Sequence, residues 1–187
     1  MTSAVDVGTG TGRHALRLAK QGIDVVGVDE NPDMLAVAQA KADAANVMNM
    51  RFIQAELGKE ALPLPSSTFD LLTCTLMLCH LPNLKEAIAD CVRVVRPGGY
   101  LLLSDFHPDA IAFGWRSAFP TPTTHYYFPT TAHTRQGYLD ALTECGCALI
   151  DVQDFATDGQ PCGDLSEEAR MAKGGSPFCL VILAQKE

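Results

Sequence analysis

The sequence predicts a doubly wound α/β domain. Three observations carry that expectation. Short apolar runs alternate with segments of helical character, the first run breaks into the turn Gly8-Thr9-Gly10-Thr11-Gly12, and the second ends on a carboxylate, Asp29. Alternating strands and helices imply parallel pairing through right-handed crossovers, which leaves helices on both faces of a sheet. In such sheets ligands sit at the carboxyl ends of the strands, beside the first one.

The elements follow in order. Val5-Asp6-Val7 is the centre of a buried strand near 4–8, and Arg13 to Lys20 reads as the first helix, near 12–21. The apolar run Ile23 to Val28 is the second strand, and Asn31-Pro32-Asp33 opens a helix over 32–46 with the usual capping residues. Further strands are expected near 50–54, 70–75, 99–105, 147–155 and 178–185, with helices near 84–95 and 134–145. Two segments interrupt the alternation. Residues 106–133 hold His107, Trp115, Arg116, Phe119, Tyr126, Tyr127, Phe128 and His133 among four prolines, and residues 156–177 read as a mobile, glycine-bearing connection with a short helix near 166–173.

Glycines at alternate positions let a bulky ligand approach the backbone, and the amides of the helix start can meet its polar end. A dinucleotide fingerprint would need a glycine where Arg13 stands, so G-x-G-x-x-G fails and G-x-G-x-G holds. Asp29 lies 21 residues after Gly8, at the second strand's end, where a carboxylate can take two ribose hydroxyls of a nucleoside. The bland reading of Asp29 is a cap for the next helix, a task Asn31 can do itself.

Composition narrows the function classes. A chain of 187 residues suffices for one domain, here residues 1–187, and no linker divides it. The net charge is -8, with 22 acidic against 14 scattered basic residues, which argues against a nucleic-acid partner. No apolar run reaches the roughly 18 residues of a membrane span, and no signal peptide is evident, so a cytoplasmic location and no membrane partner are expected. Seven cysteines, an odd number without a C-x-x-C pair, read as free thiols in a reducing compartment, and no metal site is expected. Cys145 and Cys147 are too close together for a usual zinc knuckle.

Five motifs in order carry a resemblance: the glycine turn with Asp29; Phe52-Ile53-Gln54-Ala55-Glu56; Leu62-Pro63-Leu64-Pro65 with Phe69-Asp70-Leu71-Leu72-Thr73-Cys74; Leu78-Cys79-His80-Leu81-Pro82-Asn83; and Arg93-Val94-Val95-Arg96-Pro97-Gly98-Gly99. Over residues 4–105 the chain resembles the class I S-adenosylmethionine-dependent methyltransferases, in particular the small-molecule group (methyltransferase type 11) that includes ubiquinone/menaquinone-biosynthesis-like enzymes. The resemblance implies a Rossmann-like seven-stranded sheet in the order 3-2-1-4-5-7-6, with strand 7 antiparallel. It also implies S-adenosyl-L-methionine as cofactor and in-line methyl transfer to a small-molecule substrate.

By motif position, Gly8, Thr9, Gly10 and Gly12 would hold the methionine portion, with Asp6 near its ammonium. Asp29 would hold the ribose with Glu30 beside it, Met34 and Ala55 would sandwich the adenine, and Glu56 would meet its exocyclic amine. Cys74 and Leu76 would lie beside the sulfur. His80 and His107 are the candidate catalytic bases, each weighed against a purely structural role. Residues 106–133, with Trp115, Tyr126 and Tyr127, are the expected acceptor pocket.

The chain departs from the family's pattern in having Glu56 for an aspartate and Cys79 for the first of two histidines. Its first strand also opens near Ala4, so the N-terminal lid helices are expected to be absent. Loose cofactor binding and slow turnover would follow, unless a partner, residues 106–133 or a second copy in a homodimer supplied cover. The alternative is a weakly active or inactive domain that binds the nucleoside or a protein partner. A nicotinamide oxidoreductase is disfavoured by Arg13.

Overall fold

The computed structural model describes residues 1–156 and 177–187. Apart from its two end residues, the expected connection at 156–177, with its short helix near 166–173, lies outside them. In chain order the elements are β1 (Ser3–Val7), α1 (Arg13–Ala19), β2 (Asp24–Asp29), α2 (Pro32–Ala44), β3 (Met50–Gln54) and β4 (Phe69–Thr75). A 3-10 turn at Leu78–His80 follows, then α3 (Leu84–Val94), β5 (Val95–Phe106), α4 (Pro108–Ala112), β6 (Ala118–Pro120), β7 (His125–Tyr127), α5 (Arg135–Glu144), β8 (Cys147–Ala156) and β9 (Pro177–Lys186).

Seven strands form one sheet in the order β3-β2-β1-β4-β5-β9-β8, while β6 and β7 pair with each other in a separate ribbon. Numbered among the sheet strands alone, this is the expected 3-2-1-4-5-7-6. β9 runs antiparallel to both β5 and β8. β1 pairs in parallel with β2 on one side and β4 on the other, so the strand order reverses beside it.

Period-two alternation divides the core. Val5 and Val7, Val26 and Val28, Leu72 and Cys74, and Leu101 and Leu103 share one buried cluster with α3 and α5, whereas Ala4, Val25 and Leu71 join Ala15 and Ala19 of α1 in another. In α3, Leu84, Ala87, Ile88, Cys91 and Val92 are buried at helical spacing, and Asn83 caps the first turn by accepting the Glu86 N–H.

Several motif residues build the frame. Arg93 donates to the carbonyls of Leu62 and Leu64 at 2.9 and 2.8 Å and to Asp90, pinning the loop before β4. Asp70 accepts the Thr2 and Ser3 N–H groups and pairs with Arg96. Those amide donors and the guanidinium hold its carboxyl well below the usual carboxylate range.

β5 begins at Val95, four residues before the expected start. The register against β4 shifts between Phe69 and Leu71, a bulge that absorbs Pro97-Gly98-Gly99 within one strand. The β6–β7 ribbon and α4 lie in residues 106–133, where no apolar period announces them.

Candidate functional site

A cleft of about 580 Å³ opens at the carboxyl ends of β1, β2, β3 and β4, where the strand order reverses. Its floor and rim hold eight of the expected cofactor residues, Gly8, Gly10, Asp29, Glu30, Met34, Ala55, Glu56 and Leu76, together with His80. Asp6, Thr9, Gly12, Cys74 and His107 are not among the lining residues.

The three glycines of the first turn all adopt left-handed backbone, but their surroundings differ. A Cβ on Gly10 (φ +52) would meet nothing within 4 Å and would point into open space. On Gly8 it would come within 2.7 Å of the Met77 side chain, and on Gly12 within 3.0 Å of Ala38 in α2. Gly10 leaves room for a ligand, Gly8 for Met77, and Gly12 for helix packing.

The loop's amides differ from the expectation of free donors. The Thr9 N–H donates to the Val28 carbonyl, the Gly10 N–H to Asp29 Oδ2 at 2.7 Å and the Gly12 N–H to the Thr9 carbonyl, so these three turn toward the protein. Asp6 is also engaged inside. Its two oxygens accept the hydroxyls of Thr9 (2.7 Å) and Thr73 (2.5 Å), and burial pushes its carboxyl up. It ties the loop after β1 to β4. Cys74 is buried in the core, and burial pushes its thiol far up.

Asp29 stands at the end of β2 with both oxygens held, Oδ2 by Gly10 and Oδ1 by the Asn31 N–H at 3.0 Å. Each carboxylate oxygen keeps a second lone pair for a ligand hydroxyl. The capping of α2 falls to Asn31, whose side chain accepts the Asp33 and Met34 N–H groups. Met34 is half exposed at the rim across from Ala55, and Glu56 pairs with Lys59 at 3.0 Å. Leu76, 40% exposed, has a left-handed backbone (φ +55) secured by its N–H to the Ser104 carbonyl. That conformation costs a leucine roughly 1–2 kcal/mol. Strain of this kind collects where a site demands one backbone shape.

The cleft is also lined by His80, Leu81, Pro82, Ser117, Phe128 and Pro129. His80 Nδ1 is 2.7 Å from the Pro129 carbonyl, and its ring lies 6.0 Å from that of Phe128. A carbonyl only accepts, so Nδ1 carries a proton, and in the neutral ring the lone pair is on Nε2.

His107 is placed otherwise. It is buried at the start of α4, where its Nδ1 accepts the Asp109 N–H at 3.2 Å and its Nε2 stands 3.4 Å from Asp154 Oδ1. That is a helix cap away from the cleft.

The aromatic segment contributes to the cleft, though not through the residues expected. Trp115 packs on Phe106 and Phe178, with ring centroids 3.8 and 5.0 Å away, while Tyr126 and Tyr127 are 62% and 66% exposed. Phe128, Pro129 and Ser117 line the wall in their place. Met77 was also missed, although its place two residues past the end of β4 is a sequence signal for the cleft floor.

Among the described residues no group of three or more His, Cys, Asp or Glu could hold a metal ion, and no helix is long and apolar enough to cross a membrane.

Comparison with known proteins places this geometry. A family model described as a methyltransferase domain matches residues 5–103. The chain is 38% identical over 106 residues to a demethylmenaquinone methyltransferase of Thermus thermophilus, covering 56% of this chain and 47% of that one. It is 37% identical over 100 residues to a ubiquinone biosynthesis O-methyltransferase of Aliivibrio fischeri, covering 54% and 42%. The chain thus spans less than half the length of these two relatives. Among solved structures, an S-adenosylmethionine-dependent methyltransferase of Mesorhizobium loti superposes with a TM-score of 0.74 at 22% identity, over 98% of this chain and 90% of that one.

Proposed function

Because the chain belongs to the methyltransferase-domain family of class I S-adenosylmethionine-dependent methyltransferases, we propose that its cleft binds S-adenosylmethionine and passes the methyl group to a small-molecule acceptor. One observation carries this reading. A single cleft runs from Asp29 and the open side of Gly10 to His80, whose Nδ1 faces the Pro129 carbonyl at 2.7 Å.

The residues present fit the donor. Asp29 retains acceptor capacity for two ribose hydroxyls, Gly10 leaves the space that any side chain would fill, and Met34 and Ala55 offer apolar surfaces for a flat base with Glu56 at its edge. Leu76 and Met77 close the floor. When bound, the donor supplies a methyl group already activated by a positive sulfur. The chain's task is therefore to hold the reactants together and exclude water, an effect of up to ~7–11 kcal/mol. Thr9, Gly12, Asp6 and Cys74 act from behind the wall, by shaping the loop and the strand ends.

His80 Nε2 is the group able to take a proton from an acceptor, which favours acceptors that must lose one on methylation, such as a hydroxyl or phenol. Phe128 would flank a flat acceptor, as aromatic walls do. The two named relatives methylate small molecules of quinone biosynthesis, and the net charge of -8 likewise favours a small acceptor over a nucleic acid.

Calorimetry with S-adenosylhomocysteine, paired with transfer of labelled methyl to a metabolite extract, tests the proposal. Binding and transfer together are expected. Binding without transfer would leave a nucleoside-binding domain, and no binding would move the function elsewhere.

A further inference from the structure

Beneath the acceptor end of the cleft lies a buried carboxylate that the reading above leaves without a task. Asp105, 2% exposed near the end of β5, accepts the Cys79 N–H at 2.7 Å and the Tyr138 hydroxyl at 3.0 Å on Oδ2, and the Phe106 N–H at 2.8 Å on Oδ1. All three partners donate, so the ionised carboxylate is the form they satisfy. Burial raises its pKa and these donors oppose the rise. A buried charge costs several kcal/mol unless it is well hydrogen-bonded, so its presence at this point calls for an explanation.

The explanation lies in what the held turn does next. Cys79 adjoins His80, and residues 79–81 carry three hydrogen bonds to the strap 129–133. The Thr131 N–H donates to the Cys79 carbonyl at 2.7 Å, His80 Nδ1–H to the Pro129 carbonyl at 2.7 Å, and His133 Nε2–H to the Leu81 carbonyl at 2.9 Å. Tyr138 closes the circuit, since its ring meets that of His133 edge-on at 5.8 Å while its hydroxyl holds Asp105. The turn is thus held from beneath by Asp105 and from outside by the strap.

We infer that Asp105 and Tyr138 are positioning residues that set the tautomer of His80. By clamping the turn from beneath, they keep Nδ1 against the Pro129 carbonyl and leave the Nε2 lone pair bare in the cleft. A neutral imidazole has one proton, and the hydrogen bond made by one nitrogen decides the state of the other. A ring freed from Pro129 would spread that proton over both nitrogens, and the share able to accept from a substrate would fall. This inference rests on His80 serving as the base in the proposed reaction, but its test does not require turnover.

The test is nitrogen NMR of the 15N-histidine-labelled 187-residue protein at about pH 8.5, where imidazole is neutral. His80→Gln identifies the His80 signals by their loss. The wild type is expected to hold His80 mainly as the Nδ1–H tautomer. In Asp105→Asn, whose carboxamide turns an N–H toward at least one of these donors, that tautomer should lose share. Tyr138→Phe removes only the hydroxyl and should shift the balance the same way by less; it decides the matter where Asp105→Asn does not fold. S-adenosylhomocysteine calorimetry should return unchanged affinity in the folded variants. A wild-type His80 mainly in the Nε2–H form, or an unaltered balance in the folded variants, would overturn the inference. A shifted balance in a protein that transfers no methyl group would uphold it and count against the proposed function instead.

Discussion

Replacing Asp29 with alanine is the most direct test of the donor end of the cleft. The carboxylate holds two backbone amides, Gly10 at 2.7 Å and Asn31 at 3.0 Å, and retains two lone pairs for a ligand. Hydrogen bonds to a charged acceptor contribute about 1.5–3 kcal/mol each, so losing both ribose bonds removes roughly 3–6 kcal/mol of binding. With a factor of ten for every 1.4 kcal/mol, S-adenosylhomocysteine should bind about a hundredfold more weakly or worse. The two freed amides can reach water at the half-buried strand end, so the stability loss should be smaller, about 1–3 kcal/mol. Calorimetry reads the first quantity and urea unfolding the second. Thr134→Ala supplies the control. It deletes the cap on Gly137 at the start of α5 and should cost about 0.5–2 kcal/mol of stability with no change in affinity. Wild-type affinity in Asp29→Ala would refute the assignment, and an equal loss in Thr134→Ala would show that affinity merely follows stability.

Three further outcomes follow from particular contacts. Gly10→Val places a branched side chain in left-handed backbone and in the open space of the cleft, so it should abolish S-adenosylhomocysteine binding in calorimetry while the circular dichroism spectrum keeps its shape. Asp70 has a folded pKa held below its unfolded value near 3.9 by the Thr2 amide and Arg96. The stability it contributes is therefore complete above about pH 4 and lost as pH falls from there through the folded pKa. Urea midpoints measured between about pH 2 and 5 should lose part of their slope in Asp70→Asn. Burial pushes the Cys91 thiol up to about 12, and Cys74 shares that core, whereas Cys145 is only partly buried. Maleimide labelling mapped by mass spectrometry should modify Cys145 in native protein well before Cys74 or Cys91, and the reverse order would contradict the packing.

Much of the donor end was legible because its signals are local. The alternate glycines, the carboxylate ending the next apolar run and Asn31 ahead of Pro32 each fix a short stretch of backbone. The sheet order came from the family resemblance, and the structure has it. Contacts across the chain were not legible. That Asp29 occupies the Gly10 amide, that Asp6 serves Thr9 and Thr73, and that Asp105 holds Cys79 all depend on strands meeting in space. His107 is instructive, since a residue directly before a proline that opens a helix is a cap by position, and the sequence His107-Pro108 already carried that signal. The acceptor end was the hardest to read. Residues 106–133 have neither a period of two nor one of 3.6, so nothing local separates Phe128 in the wall from Trp115 packed on Phe106 or Tyr126 on the surface.

The isolation of the β6–β7 ribbon has a consequence for how such a protein can change. Among the described residues its two strands pair with each other outside the seven-stranded sheet, and the strap that follows is tied to the turn at 79–81. Sequence drift there can remodel the wall around Phe128 without disturbing β1, β2 or the glycine turn. Under the proposed function, a graft of this stretch from a relative with a different wall should bring that relative's acceptor selectivity with it.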